Sequence, residues 1–176
     1  MVAARSHRER EFAEFVTLRY ADLVRTAVLL TGDRGHAEDL VQRALLAVFR
    51  SWGRLDHVAN AEAYTRTTMV RLASRWWRRR WRAEIPTDRL PDRPVGDHAA
   101  GVDTAEVVRR ALAALPWPQR AVLVMRYFEE RSEAEIAEVL GCSAGTVKSR
   151  ASRGLVALRA AMTSVEKLEG VSRERG

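Results

Sequence analysis

The sequence predicts an all-α protein of two small helical domains joined by a flexible linker that contains proline and glycine. Apolar residues recur at helical spacing through most of the 176 residues. No stretch alternates apolar and polar residues with the period of two that marks a half-buried strand. Residues 84–103 hold three of the five prolines together with Gly96 and Gly101, which is typical of an extended or loosely ordered linker.

Three helices are predicted before the linker. Apolar residues within 12–30 predict the first helix, and Gly32 in "TGD" is its stop signal. The second helix is expected over about residues 35–52, with its apolar residues on one face. The third is predicted to begin after Asn60, a suitable N-cap, and to run toward residue 82 without Gly or Pro.

Helical patterning resumes after the linker at Thr104, where Asp103 can serve as the N-cap. Pro116 is expected to end this helix, because proline cannot continue the hydrogen-bond ladder. Pro118 suits the first position of the next helix, where its missing N–H costs nothing.

A short helix pair follows in "EAEIAEVLGCSAGTVKSRASRGLVALR". Ser132 and Glu135 have the spacing of a capping box, and Gly141 permits the left-handed turn that ends the first helix. Ser143 can cap the second helix. The predicted buried positions of the pair are Ile136, Ala137, Leu140, Val147, Ala151, Leu155 and Leu158.

The second helix of the pair keeps basic and hydroxyl side chains on its outer side. Such a helix fits the major groove of DNA, where Arg and Lys donate to guanine and hydroxyl groups contact bases or phosphates. A helical hairpin with a solvated basic face remains the alternative at this point. The candidate DNA contacts are Ser143, Thr146, Lys148, Ser149, Arg150, Ser152 and Arg153.

A second basic stretch, "RWWRRRWR", occupies residues 75–82 and contains five arginines, three tryptophans and no acid. Arginines at this density repel one another unless phosphates or carboxylates neutralise them. Tryptophan rings and guanidinium planes can also stack on unpaired bases. The stretch therefore indicates nucleic-acid contact with at least one structural tryptophan, although inward tryptophans beside solvated arginines would give the same pattern.

Composition limits the other function classes. A net charge of +7 favours a polyanionic partner. The single cysteine, Cys142, excludes an intrachain disulfide, and no histidine lies near it in sequence to activate it as a nucleophile. The four histidines lack metal-ligand spacing, and there is no glycine-rich phosphate loop. We therefore expect no enzyme activity, catalytic residue, metal site or cofactor.

The sequence also carries no predicted membrane or export signal. Residues 1–15 lack the apolar core of a signal peptide, and no apolar run approaches the roughly 20 residues of a membrane span. We expect a cytoplasmic protein without membrane insertion.

Two long stretches resemble a known family. "YADLVRTAVLLTGDRGHAEDLVQRALLAVFRSW" is similar to region 2 of bacterial sigma factors of the extracytoplasmic-function (ECF) type in the sigma-70 family. "ALAALPWPQRAVLVMRYFEERSEAEIAEVLGCSAGTVKSRASRGLVALR" is similar to their region 4. The resemblance is strongest to the actinobacterial SigE-like subgroup. It implies sigma region 2 over residues 8–82, a linker over 83–103, sigma region 4 over 104–162 and a polar tail over 163–176.

The resemblance also implies partners and a mechanism. Such proteins bind core RNA polymerase through its β and β′ subunits, and they are nucleoid-associated when bound. Their first domain recognises and opens the −10 promoter element, and their second recognises the −35 element. An anti-sigma factor or another regulatory protein usually holds them inactive.

Site residues follow from the same resemblance. The −10 contacts would be Arg71, Arg75, Trp76, Trp77, Arg78, Arg79 and Arg80. The polymerase-binding residues would be Glu38, Asp39, Gln42 and Arg43. Two residues depart from the family pattern. Arg43 stands where an acid usually follows glutamine, and Arg71 stands where asparagine often lies on a short loop that captures a −10 base.

Two other functions compete with the sigma factor. A stand-alone helix-turn-helix regulator needs a dimer face, but the polar tail from Thr163 offers no heptad pattern. An RNA-binding module could use the Arg/Trp stretch but would not need the second domain.

Overall fold

The computed structural model describes the backbone of residues 2–55, 58–83 and 104–173, and the side chains of residues 7–55, 60–79 and 104–164. Within these ranges the chain is helical, with turns between the helices and no strand. The elements in order are α1 (Val2–Thr31), α2 (Arg34–Ser51), a 3-10 turn (Trp52–Arg54), α3 (Val58–Ala83), α4 (Thr104–Ala113), α5 (Trp117–Tyr127), α6 (Glu133–Leu140) and α7 (Ala144–Arg173).

The chain divides into two compact units, Met1–Arg75 and Trp76–Gly176. The division falls within α3, so the last turns of that helix belong to the second unit. The predicted linker and the predicted cap at Asp103 both lie outside the described residues. None of the helices in the described ranges is both long enough and apolar enough to cross a membrane.

The core of the first unit lies where α1 packs against α2. Leu23, Leu30 and Val41 are fully shielded from solvent. An aromatic cluster extends this core toward the end of α2, with the ring centroid of Phe12 lying 4.9 Å from that of Phe49 and 5.1 Å from that of Trp52. Each such ring pair adds about 0.5–1.5 kcal/mol beyond the area it buries.

A sharp turn connects α1 to α2. Gly32 has a φ of 80°, and the carboxylate of Asp33 accepts a hydrogen bond of 2.8 Å from the amide of His36. That backbone hydrogen bond is the main reason why the pKa of Asp33 lies below its usual value. The predicted stop at Gly32 is confirmed.

Polar side chains in the first unit connect α3 to α1. Arg66 donates to Thr26 at 2.8 Å and forms an ion pair of 2.9 Å with Glu62. The other oxygen of Glu62 lies 3.1 Å from Arg19 on α1. The expectation that Asn60 caps α3 is wrong, because the helix begins two residues earlier and nothing in "VAN" interrupts a helical first turn.

In the second unit α4 and α5 pack on α7. Residues 121–125 of α5 are all buried, although a surface helix normally buries only one stripe. The approach is close at Gly154 of α7, where an added Cβ would lie 3.2 Å from the side chain of Leu123.

Of the two proline predictions, one needs correction. Helix α4 ends at Ala113, before Pro116 as predicted, and α5 begins at Trp117. Pro118 is therefore the second residue of α5 and not the first. The amides of Gln119 and Arg120 both donate to the carbonyl of Pro116, so the absent N–H of Pro118 leaves the first turn intact.

Candidate nucleic-acid interface

Local hydrogen bonds determine where α6 begins. The amide of Ser132 donates to the Glu135 carboxylate at 2.8 Å, and the amide of Glu135 donates to the Ser132 hydroxyl oxygen at 3.3 Å. These reciprocal bonds confirm the predicted capping box. The hydrogen bond from the Ser132 side chain is the largest cause of the lowered pKa of Glu135.

The turn after α6 depends on one left-handed residue. Gly141 has a φ of 63°, and the following amide, that of Cys142, donates back to the carbonyl of Ala137 at 3.0 Å. An added Cβ at Gly141 would meet no atom within 4 Å, so the backbone conformation and not crowding favours glycine here. Of the predicted buried face of α6, only Ile136 is fully buried, and Ala137 and Leu140 are half-buried.

The first turn of α7 is capped as predicted. The amide of Thr146 donates to the Ser143 hydroxyl oxygen at 3.2 Å, and the two hydroxyl groups lie 2.9 Å apart. Val147 and Ala151 are buried against the rest of the unit, whereas Leu155 and Leu158 are half-buried.

The predicted DNA-contacting residues of α7 lie on its outward side, but two of them are less exposed than the others. Thr146 and Arg150 are half-buried, and Arg150 lies 3.7 Å from the sulfur of Cys142. The Arg153 guanidinium folds back to donate to Ser149, at 3.2 Å to its carbonyl and 3.3 Å to its hydroxyl. The exposed members are Ser143, Lys148, Ser149, Ser152 and Arg153.

Glu133, an acid that is not among the predicted site residues, lies beside this surface. One oxygen of Glu133 is 2.6 Å from Arg126 of α5, and the other is 3.8 Å from Lys148 of α7. No periodic pattern could have indicated these contacts, because they join three different helices.

The Arg/Trp end of α3 exposes most of its predicted contacts. Trp76 is 39% exposed, whereas Trp77 is half-buried with its ring stacked on that of Trp117 in the second unit, at a centroid distance of 5.9 Å. The side chain of Arg80 lies outside the described residues. The exposed arginines of this segment are Arg71, Arg75, Arg78 and Arg79.

The loop that the family resemblance implied at Arg71 is absent. Helix α3 continues through this position from Val58 to Ala83, and the surrounding residues contain no helix breaker. Arg71 is therefore presented from a rigid helix.

The four predicted polymerase-binding residues lie on α2. Asp39, Gln42 and Arg43 are exposed, and Glu38 is half-buried and accepts a hydrogen bond of 2.9 Å from Arg34. The opposite side of α2 is buried. The exposed row continues with two apolar side chains, Leu46 and Phe49, which are 53% and 42% exposed.

The described side chains contain no group of three His, Cys, Asp or Glu residues that could hold a metal ion. His7 pairs with Glu11, one turn further along α1, and His36 pairs with Asp33, the N-cap of α2.

A capped helix, a left-handed glycine turn and a second helix with an exposed basic face form the geometry of a helix-turn-helix DNA-binding protein. Two family models match the chain, "Sigma-70 region 2" over residues 15–83 and "Sigma-70, region 4" over residues 105–158.

Curated relatives agree with this match. The RNA polymerase sigma-E factor of Streptomyces coelicolor is 37% identical over 169 residues, which cover 94% of this chain and 96% of the relative. The same factor of Streptomyces avermitilis is 40% identical over 172 residues, with 94% of each chain covered. The ECF RNA polymerase sigma factor SigM of Mycobacterium tuberculosis is 34% identical over 143 residues, with 81% and 72% covered.

Two solved structures share the fold. The sigma factor RpoE of Bartonella quintana, in complex with the anti-sigma factor NepR, has a TM-score of 0.58 at 23% identity and covers 88% of this chain and 98% of its own. CnrH in complex with the cytosolic domain of CnrY has a TM-score of 0.56 at 20% identity, with 93% and 94% covered. The chain belongs to the sigma-70 family and is an RNA polymerase sigma factor of the extracytoplasmic-function type.

Proposed function

We propose that this sigma factor directs core RNA polymerase to promoters by contacting the −35 element with α7 and the −10 element with the end of α3. The observation that carries the proposal is the outward basic and hydroxyl face of α7, held by the capped turn before it. The proposed role is binding and promoter opening in the cytoplasm, without enzyme activity or a cofactor.

At the −35 element, the N-terminal end of α7 would approach the DNA first. The helix dipole and the first-turn amides that Ser143 does not cap favour a phosphate at this end, next to Ser143 and Thr146. Lys148 would contact phosphate, because a flexible point charge positions the protein without selecting a base. Arg153 would select guanine through two parallel hydrogen bonds. Its present partners on Ser149 are solvent-exposed, so exchanging them for a base costs little.

At the −10 element, the exposed Trp76 ring would stack on a base of the opened strand, and the neighbouring arginines would neutralise its phosphates. Trp77 would support this segment from within the second unit, because its ring already packs on Trp117. Arg71, presented from a helix, would contact the captured base differently from an asparagine on a loop.

Docking on polymerase would use the exposed row of α2. Asp39 and Gln42 provide one acid and one amide on the same side of the helix, which suits a basic surface of the β′ subunit. Glu38 would add a second acid. The family usually has an acid directly after the glutamine, where this chain has Arg43. Because arginine carries the opposite charge, we propose that Glu38, Asp39 and Gln42 make the contact without an acid at that position.

A regulatory protein of the anti-sigma class would hold the factor inactive. The two solved structures with this fold each contain a protein partner, NepR with RpoE and the cytosolic domain of CnrY with CnrH. We expect the partner of this chain to cover both basic surfaces.

Run-off transcription with sigma-free core polymerase tests the proposal. DNA fragments selected by the reconstituted holoenzyme should support initiation only when the chain is present, and the start sites should share −35 and −10 elements. A chain that binds specific DNA without polymerase and never supports initiation would instead be the stand-alone helix-turn-helix regulator.

A further inference from the structure

Glu133 lies between two cations of the DNA-binding unit. It is the first residue of α6, and each of its carboxylate oxygens lies near a different positive group. Oε1 accepts a hydrogen bond of 2.6 Å from Nη1 of Arg126, and Oε2 lies 3.8 Å from Nζ of Lys148. The acid thus joins the end of α5 and the start of α6 to the helix proposed to enter the major groove.

The two contacts differ in strength. The Glu133 and Arg126 side chains are 27% and 36% exposed, and the Arg126 guanidinium also lies 5.8 Å from the ring centroid of Tyr127. The Lys148 side chain is 70% exposed, and its nitrogen is beyond hydrogen-bond distance from Glu133. The arginine contact therefore fixes where the carboxylate lies, and Lys148 can leave it readily.

We propose that Glu133 competes with DNA phosphate for Lys148 and so lowers the sequence-independent affinity of this surface for DNA. The inference rests on the proposed function, which places Lys148 on a phosphate. When a phosphate binds Lys148, the lysine gives up its weak contact with the carboxylate, and the phosphate lies close to the negative charge that Arg126 holds in place. Both effects oppose phosphate contact at this point, whatever base pairs lie in the groove.

The change Glu133→Gln tests this directly. It removes the charge but keeps an oxygen that can accept from Arg126. Binding of the full chain to a promoter duplex and to an unrelated duplex should tighten by the same factor, about two- to fivefold at 0.1 M salt. The slope of log affinity against log salt should steepen by up to ~0.9, because one further phosphate contact is made without competition.

Glu138→Gln is the matched control. Glu138 lies exposed on the same short helix, and the change removes the same charge. Both variants are compared at 0.1 M salt, where a charge that is not in direct contact with Lys148 is partly screened, so Glu138→Gln should bind both duplexes more nearly as the unchanged protein does. Equal tightening by the two variants would overturn the proposal in favour of net charge alone.

A double change separates the two cations. With Lys148→Ala already present, Glu133→Gln should no longer tighten binding, whereas a persistent gain would overturn the assignment to Lys148. Tightening confined to the promoter duplex would also overturn it, because the effect would then depend on bases. Urea unfolding of each variant should show that it is still folded. Affinities are compared only under conditions in which every variant is fully folded.

Failure of this inference is distinguishable from failure of the proposed function. If the unchanged protein supports promoter-dependent initiation and Glu133→Gln binds DNA as it does, only the inference falls. If the unchanged protein supports no initiation with core polymerase, the proposed function falls first.

Discussion

Arg120 of α5 donates a hydrogen bond of 3.0 Å from Nη2 to the carbonyl oxygen of Leu115, and the same nitrogen also contacts the carbonyl of Ala113. The residue is only 9% exposed, and burial lowers its pKa to about 10, so it remains charged at neutral pH. A buried guanidinium thus satisfies one carbonyl at the end of α4 and one in the turn that follows it.

Arg120→Met should destabilise the protein by about 2 kcal/mol or more, because it leaves buried carbonyls without a donor. Urea unfolding followed by circular dichroism measures this. Arg159→Met is the control, since Arg159 is exposed on α7 and its loss should change stability by less than about 0.5 kcal/mol. Equal unfolding free energies for the two variants would contradict the role of Arg120.

The lowered pKa of Glu106 predicts that the stability of the protein depends on pH. Hydrogen bonds from Arg109, and then from Arg110, lower its pKa from 4.5 to about 2. Because the folded pKa is depressed, the stabilisation is complete above about pH 4.5 and is lost as the pH falls through about 2. The side chain is 34% exposed, so we expect only about 1 kcal/mol. Glu106→Gln should have a lower free energy of unfolding than the unchanged protein at pH 7, and the difference should shrink toward pH 2. A difference that stays constant with pH would contradict a role for the charge of Glu106.

Substitutions on the exposed side of α2 test the proposed polymerase-binding surface. Asp39→Lys combined with Gln42→Ala should weaken binding to core polymerase by about 1–2 kcal/mol, roughly 5–30-fold, without loss of helix content. Titration of labelled protein with core polymerase measures the affinity. Glu14→Lys on the exposed side of α1 makes a similar charge change and should have little effect. Unchanged affinity of the double variant would place the docking surface elsewhere.

The two tryptophans should respond differently to removal. Trp76→Ala should depress promoter opening in a permanganate footprint, because stacking is worth about 1–3 kcal/mol per base, and Arg71→Ala should do so through lost base contact. Trp77→Ala should instead lower the melting temperature, because its ring packs on Trp117. A full-strength footprint from both stable variants, Trp76→Ala and Arg71→Ala, would reject the proposed −10 role.

Two basic residues of α7 should differ in specificity. Arg153→Ala should relax the preference at one −35 position by about 1–3 kcal/mol, because a bidentate guanine contact is lost. Lys148→Ala should weaken all promoters alike and flatten the salt dependence. Selection from a library randomised at the −35 element, with holoenzyme carrying each variant, compares them. If Arg153→Ala returned the original motif at every position, another residue would contact that base.

Local sequence signals determined most of the helix-turn-helix. The capping box at Ser132, the left-handed turn at Gly141 and the cap at Ser143 each depend on atoms within a few residues, so residue type and spacing were sufficient to predict them. The stop at Gly32 was predictable for the same reason. The start of α3 was not, because the preference of Asn60 for a cap is weak enough for the tertiary context to override it.

Only the tertiary structure decided which polar and aromatic side chains have partners distant in sequence. The positions of Trp76 and Trp77 in the sequence do not show which ring is exposed. In the structure Trp76 is exposed and Trp77 packs on Trp117. Arg120 is one more basic residue in sequence, and its burial follows from how α4 and α5 meet. Glu133 approaches Lys148 because two helices cross there. Helical periodicity reports the faces of one helix, whereas these contacts depend on the packing between helices, which no local pattern encodes.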